Sequence, residues 1–242
     1  MNKSIIFIYG IFSYIVALVA QVWFIFYIGE WKFMPTTINS IHPVSLISAL
    51  MINFVLVMIF GLQHSIMARS SFKKYVTKII PQSAERSTYV LFSGLALGLI
   101  CLYWQPLDGF LWQVDNEVGR TLLTAGYIFG WAFSLFSTFI INHFELFGLQ
   151  QIYLNLLNKP EPSVSFKEKL FYKFVRHPIQ LGVLLGIWLT PTMSYSHLML
   201  SVTLTIYIFI GLRYEERDLI STLGSTYKEY QKRVRMMLPF PK

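Results

Sequence analysis

Four stretches of the sequence place histidine, arginine and carboxylate side chains beside long apolar runs, where ionisable groups are costly and mark function. They are Gln63, His64 and Arg69; Asn142, His143 and Glu145; Arg176 and His177 before Pro178; and Arg213, Tyr214, Glu215, Glu216 and Arg217. A histidine takes or gives a proton near neutral pH. Arginine presents a rigid fork of donors to a carboxylate, and glutamate accepts from ammonium or hydroxyl groups. The motifs of soluble cofactor sites are missing: no Gly-x-Gly-x-x-Gly after a strand, no Walker loop, no His-Glu-x-x-His and no Cys-x-x-Cys.

Each of these residues also has a plainer reading. Arg176 and Arg213 could be snorkelling anchors. His177 precedes a proline at a helix start, where its side chain could serve only as a cap. Glu215 and Glu216 with Arg213 and Arg217 could be ion pairs on a helix that continues into water. His64 and His143 could be hydrogen-bonded interior histidines. These readings leave unexplained why all four groups lie at the same end of their apolar runs.

The elements that must position them are membrane helices. The chain has 242 residues, 55% of them hydrophobic and only 13% charged, against about 25% charged in soluble domains. That excludes an ordinary water-soluble core, a disordered chain and a disulfide scaffold, and the single cysteine, Cys101, has no partner in the chain. The expected fold is an all-α, polytopic membrane bundle of five to six spans. The last two form a helical hairpin, followed by a cytoplasmic helical tail. The apolar runs are Ile5–Ile28, Val44–Met67, Ser87–Trp104, Thr121–Ile141, Ile179–Met193 and His197–Leu212. The hairpin of the fifth and sixth either crosses fully or dips in and returns. The first, although Lys3 precedes it, is longer than the 7–15 residues of a signal-peptide core and reads as a retained helix.

Lysines and arginines alternate strongly between the connections. Eighteen lie on the side of the N-terminus, the second and fourth connections and the tail, against two, Lys32 and Arg120, on the other. The positive-inside rule makes the richer side cytoplasmic, so the net charge of +8 reflects topology, with some attraction to anionic lipid, and implies no nucleic acid. In this orientation all four polar groups gather at one depth on the cytoplasmic face. Three Gly-x-x-x-Gly pairs, Gly94/Gly98, Gly126/Gly130 and Gly182/Gly186, read as close packing inside the bundle rather than a dimer face. Most tryptophans sit near span ends, as interfacial anchors do. The whole chain reads as one domain: an N-terminal four-helix part to residue 147, a connector over 148–178 broken by Pro160 and Pro162, and a hairpin with tail from 179.

The last third carries a resemblance. The segment "RHPIQLG" from Arg176 to Gly182, then "RYEERDLISTLGSTYKEYQKRV" from Arg213 to Val234, then "LPF" from Leu238 resembles the isoprenylcysteine carboxyl methyltransferase superfamily. "GLQHSIMAR" (Gly61–Arg69), "ERSTYVL" (Glu85–Leu91) and "NHFELFGLQQ" (Asn142–Gln151) look like a narrower branch. That branch holds the methanethiol S-methyltransferases and the NnrU-type membrane proteins linked to denitrification, and the chain looks most like the former. Superfamily members often carry an aromatic two residues after the proline; this chain has Gln180, so a polar contact replaces stacking there.

The resemblance implies a membrane methyltransferase that uses S-adenosylmethionine (SAM) on a small thiol such as methanethiol; with the charge count it is expected in a bacterial inner membrane with both termini cytoplasmic. It makes His177, Gln180, Gly182, Tyr214, Glu215, Glu216 and Tyr227 cofactor residues, with Arg176 and Arg213 as pocket or carboxylate partners. SAM brings a carboxylate, an ammonium, a ribose and a sulfonium, which call for a cation, an anion and an aromatic face. His64 and His143 are the candidate bases that take the thiol proton, with Glu145 orienting or assisting. Two alternatives stay open: a haem or redox protein with His64 and His143 as axial ligands, and the same chemistry on a prenylated cysteine or lipid-like thiol.

Overall fold

The computed structural model describes residues 2–40, 44–162, 166 and 168–238. Its helices are α1 (Lys3–Ile28), α2 (Leu46–Ala68), α3 (Ser70–Val76), α4 (Gln82–Tyr103), α5 (Glu117–Ile141), α6 (His143–Leu146), α7 (Leu149–Leu156), α8 (Pro178–Trp188), α9 (Tyr195–Leu223) and α10 (Ser225–Arg233). Two short strands, β1 (Phe110–Gln113) and β2 (Thr192–Ser194), pair with each other, and a 3-10 turn covers Leu170–Lys173. Pro239 and Phe240 of the closing motif, residues 163–165 of the linker and Lys167 lie outside the described residues.

Five helices, α1, α2, α4, α5 and α9, are long and apolar enough to cross a membrane, so this is a multi-pass membrane protein. The last two apolar runs differ from their expected bounds. α8 stops at Trp188 because Pro191 lies just ahead, and proline disfavours helical backbone in the residue before it. α9 continues past Leu212 to Leu223, where Gly224 at φ +59° ends it. Arg213–Arg217 therefore lie on an unbroken helix.

The described chain divides into two compact units. The first comprises residues 1–109, 143–162 and 194–197. Within it α1 meets α4 where a Cβ on Gly94 would fall 2.6 Å from the Ala17 Cα, so that backbone approach needs glycine. α7 packs on α1, with Ile152 filling the space above Gly10. Ala17, Met67, Tyr89 and Val90 form a buried cluster against which Phe72 and Phe147 pack. On α2, buried Asn53 exchanges hydrogen bonds with the Gln105 backbone at 2.7 and 2.8 Å. These bonds satisfy the chain just beyond the end of α4.

The second unit comprises residues 110–142, 163–193 and 198–242. Here α8 runs antiparallel along α5 through glycine contacts. A Cβ on Gly130 would lie 2.5 Å from the Gly186 amide, and one on Gly182 would lie 2.5 Å from that of Ser134. The expectation that the three Gly-x-x-x-Gly pairs serve internal packing holds for Gly126/Gly130 and Gly182/Gly186; of the third pair Gly94 packs on Ala17, while Gly98 has nothing within 4 Å. Beyond α8 the chain turns at Leu189, where the Thr190 amide donates to the Trp188 carbonyl at 3.0 Å; the Trp112 indole donates to the Thr190 carbonyl at 3.0 Å and the Val114 amide to that of Pro191. At the other end of α5, the Tyr172 hydroxyl donates to the Ser137 carbonyl at 3.5 Å. The stretch from Tyr172 to Pro191 thus covers the length of α5.

Candidate active site

The sequence-predicted residues fall into two groups, one in each unit. In the second unit, Val175 and Arg235 form an isolated parallel bridge, and the backbone amides of Arg176 and His177 donate to the carbonyls of Arg235 and Met236 at 3.0 and 3.2 Å. This lays the tail beside the Arg-His-Pro segment. Pro178 occupies the first turn of α8, and His177 precedes it without a side-chain cap bond. Its imidazole is used elsewhere, which overturns the cap-only reading.

The centre of this group is the Glu216 carboxylate on α9. Its Oε1 accepts from Arg176 Nε at 2.6 Å, from His177 Nε2 at 3.1 Å and from the Tyr227 hydroxyl at 3.5 Å; its Oε2 accepts from Gln231 Nε2 at 2.9 Å. Arg176 also donates through Nη1 to the Val234 carbonyl at 2.5 Å. Buried and committed to these partners, Arg176 is not a snorkelling anchor. Because Nε2 of His177 donates to Glu216, its Nδ1 is turned toward Glu215, 4.0 Å from Oε2. Tyr227 and Tyr230 pack with Val234 and Phe166 beneath the hub, and the Tyr230 hydroxyl donates to the Tyr172 carbonyl at 2.5 Å. Burial raises the Tyr227 and Tyr230 phenols above their ordinary range.

Arg213, Tyr214 and Glu215 lie exposed on the turn of α9 just before Glu216. They supply a cation, an aromatic face and a carboxylate, the donor set that fits SAM. Arg217 stands over the Tyr214 ring at 5.6 Å. Gln180 is half-buried in the first turn of α8. Gly182 is where α8 meets α5, so its lack of a side chain has a packing cause. Gln231 and Tyr230 escaped the sequence reading as partners of the hub, although both lie within the recognised tail segment.

In the first unit, His64 on α2 shares a hydrogen bond with the Tyr89 hydroxyl, 2.7 Å from Nε2, and its Nδ1 lies 3.1 Å from Ser93 Oγ. Ser93 spends its own proton on the Tyr89 carbonyl at 2.9 Å. The Tyr89 hydroxyl also lies 3.1 Å from Nδ1, so it faces both ring nitrogens. The Arg86 guanidinium sits over the Tyr89 ring at 4.6 Å.

His143, 3% exposed, opens the short α6 and bonds through Nε2 to the Tyr14 hydroxyl at 2.9 Å. Phe147 lies against its ring at 4.6 Å between centroids. Burial lowers the His143 pKa from the ordinary histidine value, which keeps it neutral at physiological pH. Phe147 packs on the cluster that contains Tyr89, so one apolar core separates the two histidines. Glu145 is half-buried, and its backbone carbonyl accepts from Gln151 Nε2 at 3.2 Å. Tyr14, Tyr89 and Ser93 were not singled out from the sequence. A tyrosine within an apolar helix is the only trace that Tyr14 leaves there.

Helices long and apolar enough to cross a membrane, with polar clusters near their ends, define a multi-pass membrane protein. The chain is 42% identical over 240 residues to the methanethiol S-methyltransferase of Crocosphaera subtropica, covering 99% of this chain and 94% of that one. It is also 42% identical over 241 residues to the methanethiol S-methyltransferase of Mycobacterium tuberculosis, covering 100% and 98%. The chain belongs to the methanethiol S-methyltransferase family. A more distant likeness, 28% identity over 188 residues, links it to nurim of Bos taurus, covering 74% and 71%. No family profile matches the chain, and no solved structure matches it.

Proposed function

We propose that this protein methylates methanethiol, forming dimethyl sulfide, with SAM as the methyl donor. The observation that carries the reading is family membership along the whole chain, and the Arg176–Glu216–His177 hub beneath a SAM-complementary turn supports it. When bound, SAM supplies an electrophilic methyl group on a sulfonium. Arg213 would hold its carboxylate, Glu215 its ammonium or ribose hydroxyls, and Tyr214 an aromatic face for the positive charge. Arg176, Glu216 and Gln231 fix the helix that presents these groups.

The thiolate is the attacking species, so the thiol must shed a proton. His143, neutral because it is buried, accepts it with the Tyr14 hydroxyl steadying the ring. His64, bonded to the Tyr89 phenol, is the second candidate. The thiolate lone pair would form the new carbon–sulfur bond while the electrons of the old bond stay with the donor sulfur, which becomes a neutral thioether, and the proton would pass from histidine to water. The termini share the cytoplasmic side in this reading: the charge asymmetry supports it, and so does the passage beside α5. The 11 residues of α8 rise roughly 16 Å, and the chain then turns at Leu189 and runs on to Pro191 beside Val114.

The test is headspace detection of dimethyl sulfide from detergent-purified protein given SAM and methanethiol. Product that depends on both reagents is expected, with loss of rate in His64→Ala or His143→Ala. Full activity in both variants overturns the base assignment, and SAM binding without product overturns the acceptor.

A further inference from the structure

Outside the spans, one surface pattern occurs twice. In the first unit, Lys74, Tyr75, Lys78 and Ile79 are exposed, with Tyr75 at 62% and Ile79 at 71%. In the second unit, Lys169, Leu170, Lys173 and Phe174 are exposed, with Leu170 at 58% and Phe174 at 63%. The spacing is identical: a lysine and a large apolar residue, two inward residues, then a lysine and a large apolar residue. The inward pairs are Val76 with Thr77, and Phe171 with buried Tyr172. In the first unit Phe72 packs on the core cluster and pins the opposite side of α3. In the second, Phe171 sits 4.5 Å from the Phe133 ring and does the same.

Isolated exposed apolar side chains need no explanation, but these four are each coupled to a lysine at fixed spacing. Both segments adjoin helices embedded in lipid. α3 begins two residues after α2 ends at Ala68, and α4 begins at Gln82, three residues after Ile79. The second segment leads through Arg176 into α8. A face that is water-exposed at its lysines and apolar beside them matches the boundary between headgroups and acyl chains. There the ring or aliphatic group enters the bilayer, and the ammonium stays among the phosphates.

We propose that these two Lys-apolar pairs of pairs are interfacial docking faces for anionic phospholipid headgroups of the bilayer that holds the protein. Each lysine near an anionic surface strengthens attachment by about fivefold. The two sites lie in connections that the charge count places on the same side, so both would engage one leaflet. Free phosphate is excluded as the intended ligand, because it leaves the four apolar side chains in water.

The full-length protein is reconstituted into vesicles of phosphatidylcholine alone or with phosphatidylglycerol. An environment-sensitive fluorophore is attached through Ile79→Cys or Phe174→Cys, and Lys228→Cys on α10 serves as the control, since Lys228 has no exposed apolar neighbour. The expected result is blue-shifted emission at both sites in the anionic vesicles, with quenching by shallow nitroxide lipids. The Lys228 label stays accessible to aqueous iodide. Removing one lysine of a site, Lys78→Gln or Lys173→Gln, lowers its preference for anionic lipid by about fivefold. Equal iodide quenching at all three positions in both vesicle types overturns the proposal. Blue shifts that ignore lipid charge and lysine removal overturn its electrostatic half. Labels that respond to inorganic phosphate in detergent as they do to anionic vesicles reassign the sites to the free anion.

Discussion

Arg176 Nε donates to Glu216 Oε1 across 2.6 Å, with only 8% and 11% of the two side chains exposed, and the same oxygen holds His177. Such a pair is costly to halve. In Glu216→Gln or Arg176→Met one buried charge loses its counterpart, and the expected loss is about 3–5 kcal/mol of stability. The double variant should be less damaging than the sum of the singles. Thermal unfolding of the four proteins in detergent closes the cycle, and strict additivity would show that the pair is not coupled.

Glu215 sits beside that hub yet stands exposed, so its removal should act on ligand binding and leave folding alone. Glu215→Gln is expected to weaken SAM binding by about tenfold or more, the worth of a charge-assisted hydrogen bond, while the unfolding temperature stays near that of the parent. Calorimetric titration with SAM beside a melt separates the two. An unchanged affinity would remove Glu215 from the cofactor site.

The glycines on α4, α5 and α8 divide by what a methyl group would meet. Gly130→Ala and Gly182→Ala push a Cβ to 2.5 Å from the backbone of the facing helix, and both should abolish stable folded protein or sharply reduce it. Gly98 on α4 has nothing within 4 Å. There alanine should gain roughly 0.5–1 kcal/mol from helix propensity and a less free unfolded chain. Yield and melting temperature of the three variants decide the matter.

The depressed pKa of buried His143 contributes to the acid side of the stability profile. As pH falls the unfolded chain takes up this proton first, at about 6.5, while the folded protein still resists it. Stability is therefore complete above about pH 6.5 and declines from there toward the lower folded value. His143→Gln should flatten that part of the profile, measured by unfolding midpoints between about pH 5 and pH 8. An unaltered slope would assign the acid sensitivity to another group.

The opposite sign holds for the phenols under the hub. Burial raises Tyr227 and Tyr230, so the unfolded chain ionises first. Their contribution is full below about pH 10 and is lost as pH climbs beyond it. Tyr230→Phe should shrink this alkaline loss. At neutral pH it should cost about 1–3 kcal/mol, because the Tyr172 carbonyl is left without its donor.

Much of this architecture can be read from the residue string, and the exceptions have identifiable causes. Five apolar helices follow from run length alone, and the resemblance located Arg176, His177, Glu216 and Tyr227, which the structure then draws together. The early end of α8 was visible in Pro191, while the length of α9 was visible in the lack of any breaker before Gly224. Tyr14 and Tyr89 were out of reach for a different reason. Their importance lies in which histidine they meet after α1, α4 and the chain beyond α5 have packed, and no periodicity along one helix records a partner 129 residues away, as Tyr14 is from His143. The grouping of α5 with α8 likewise depends on matched small residues, since either helix alone is merely apolar.

The bridge between Val175 and Arg235 also bears on how the protein is made. Arg176 and His177 emerge from the ribosome well before the residues that neutralise and cover them, Glu216, Gln231 and the carbonyls at Val234 to Met236. At the usual pace of synthesis that interval is roughly 3–12 s. During it a nascent chain carries an uncompensated guanidinium at the membrane boundary, exposed to insertion machinery and proteases alike. Slower translation over the final stretch lengthens that interval.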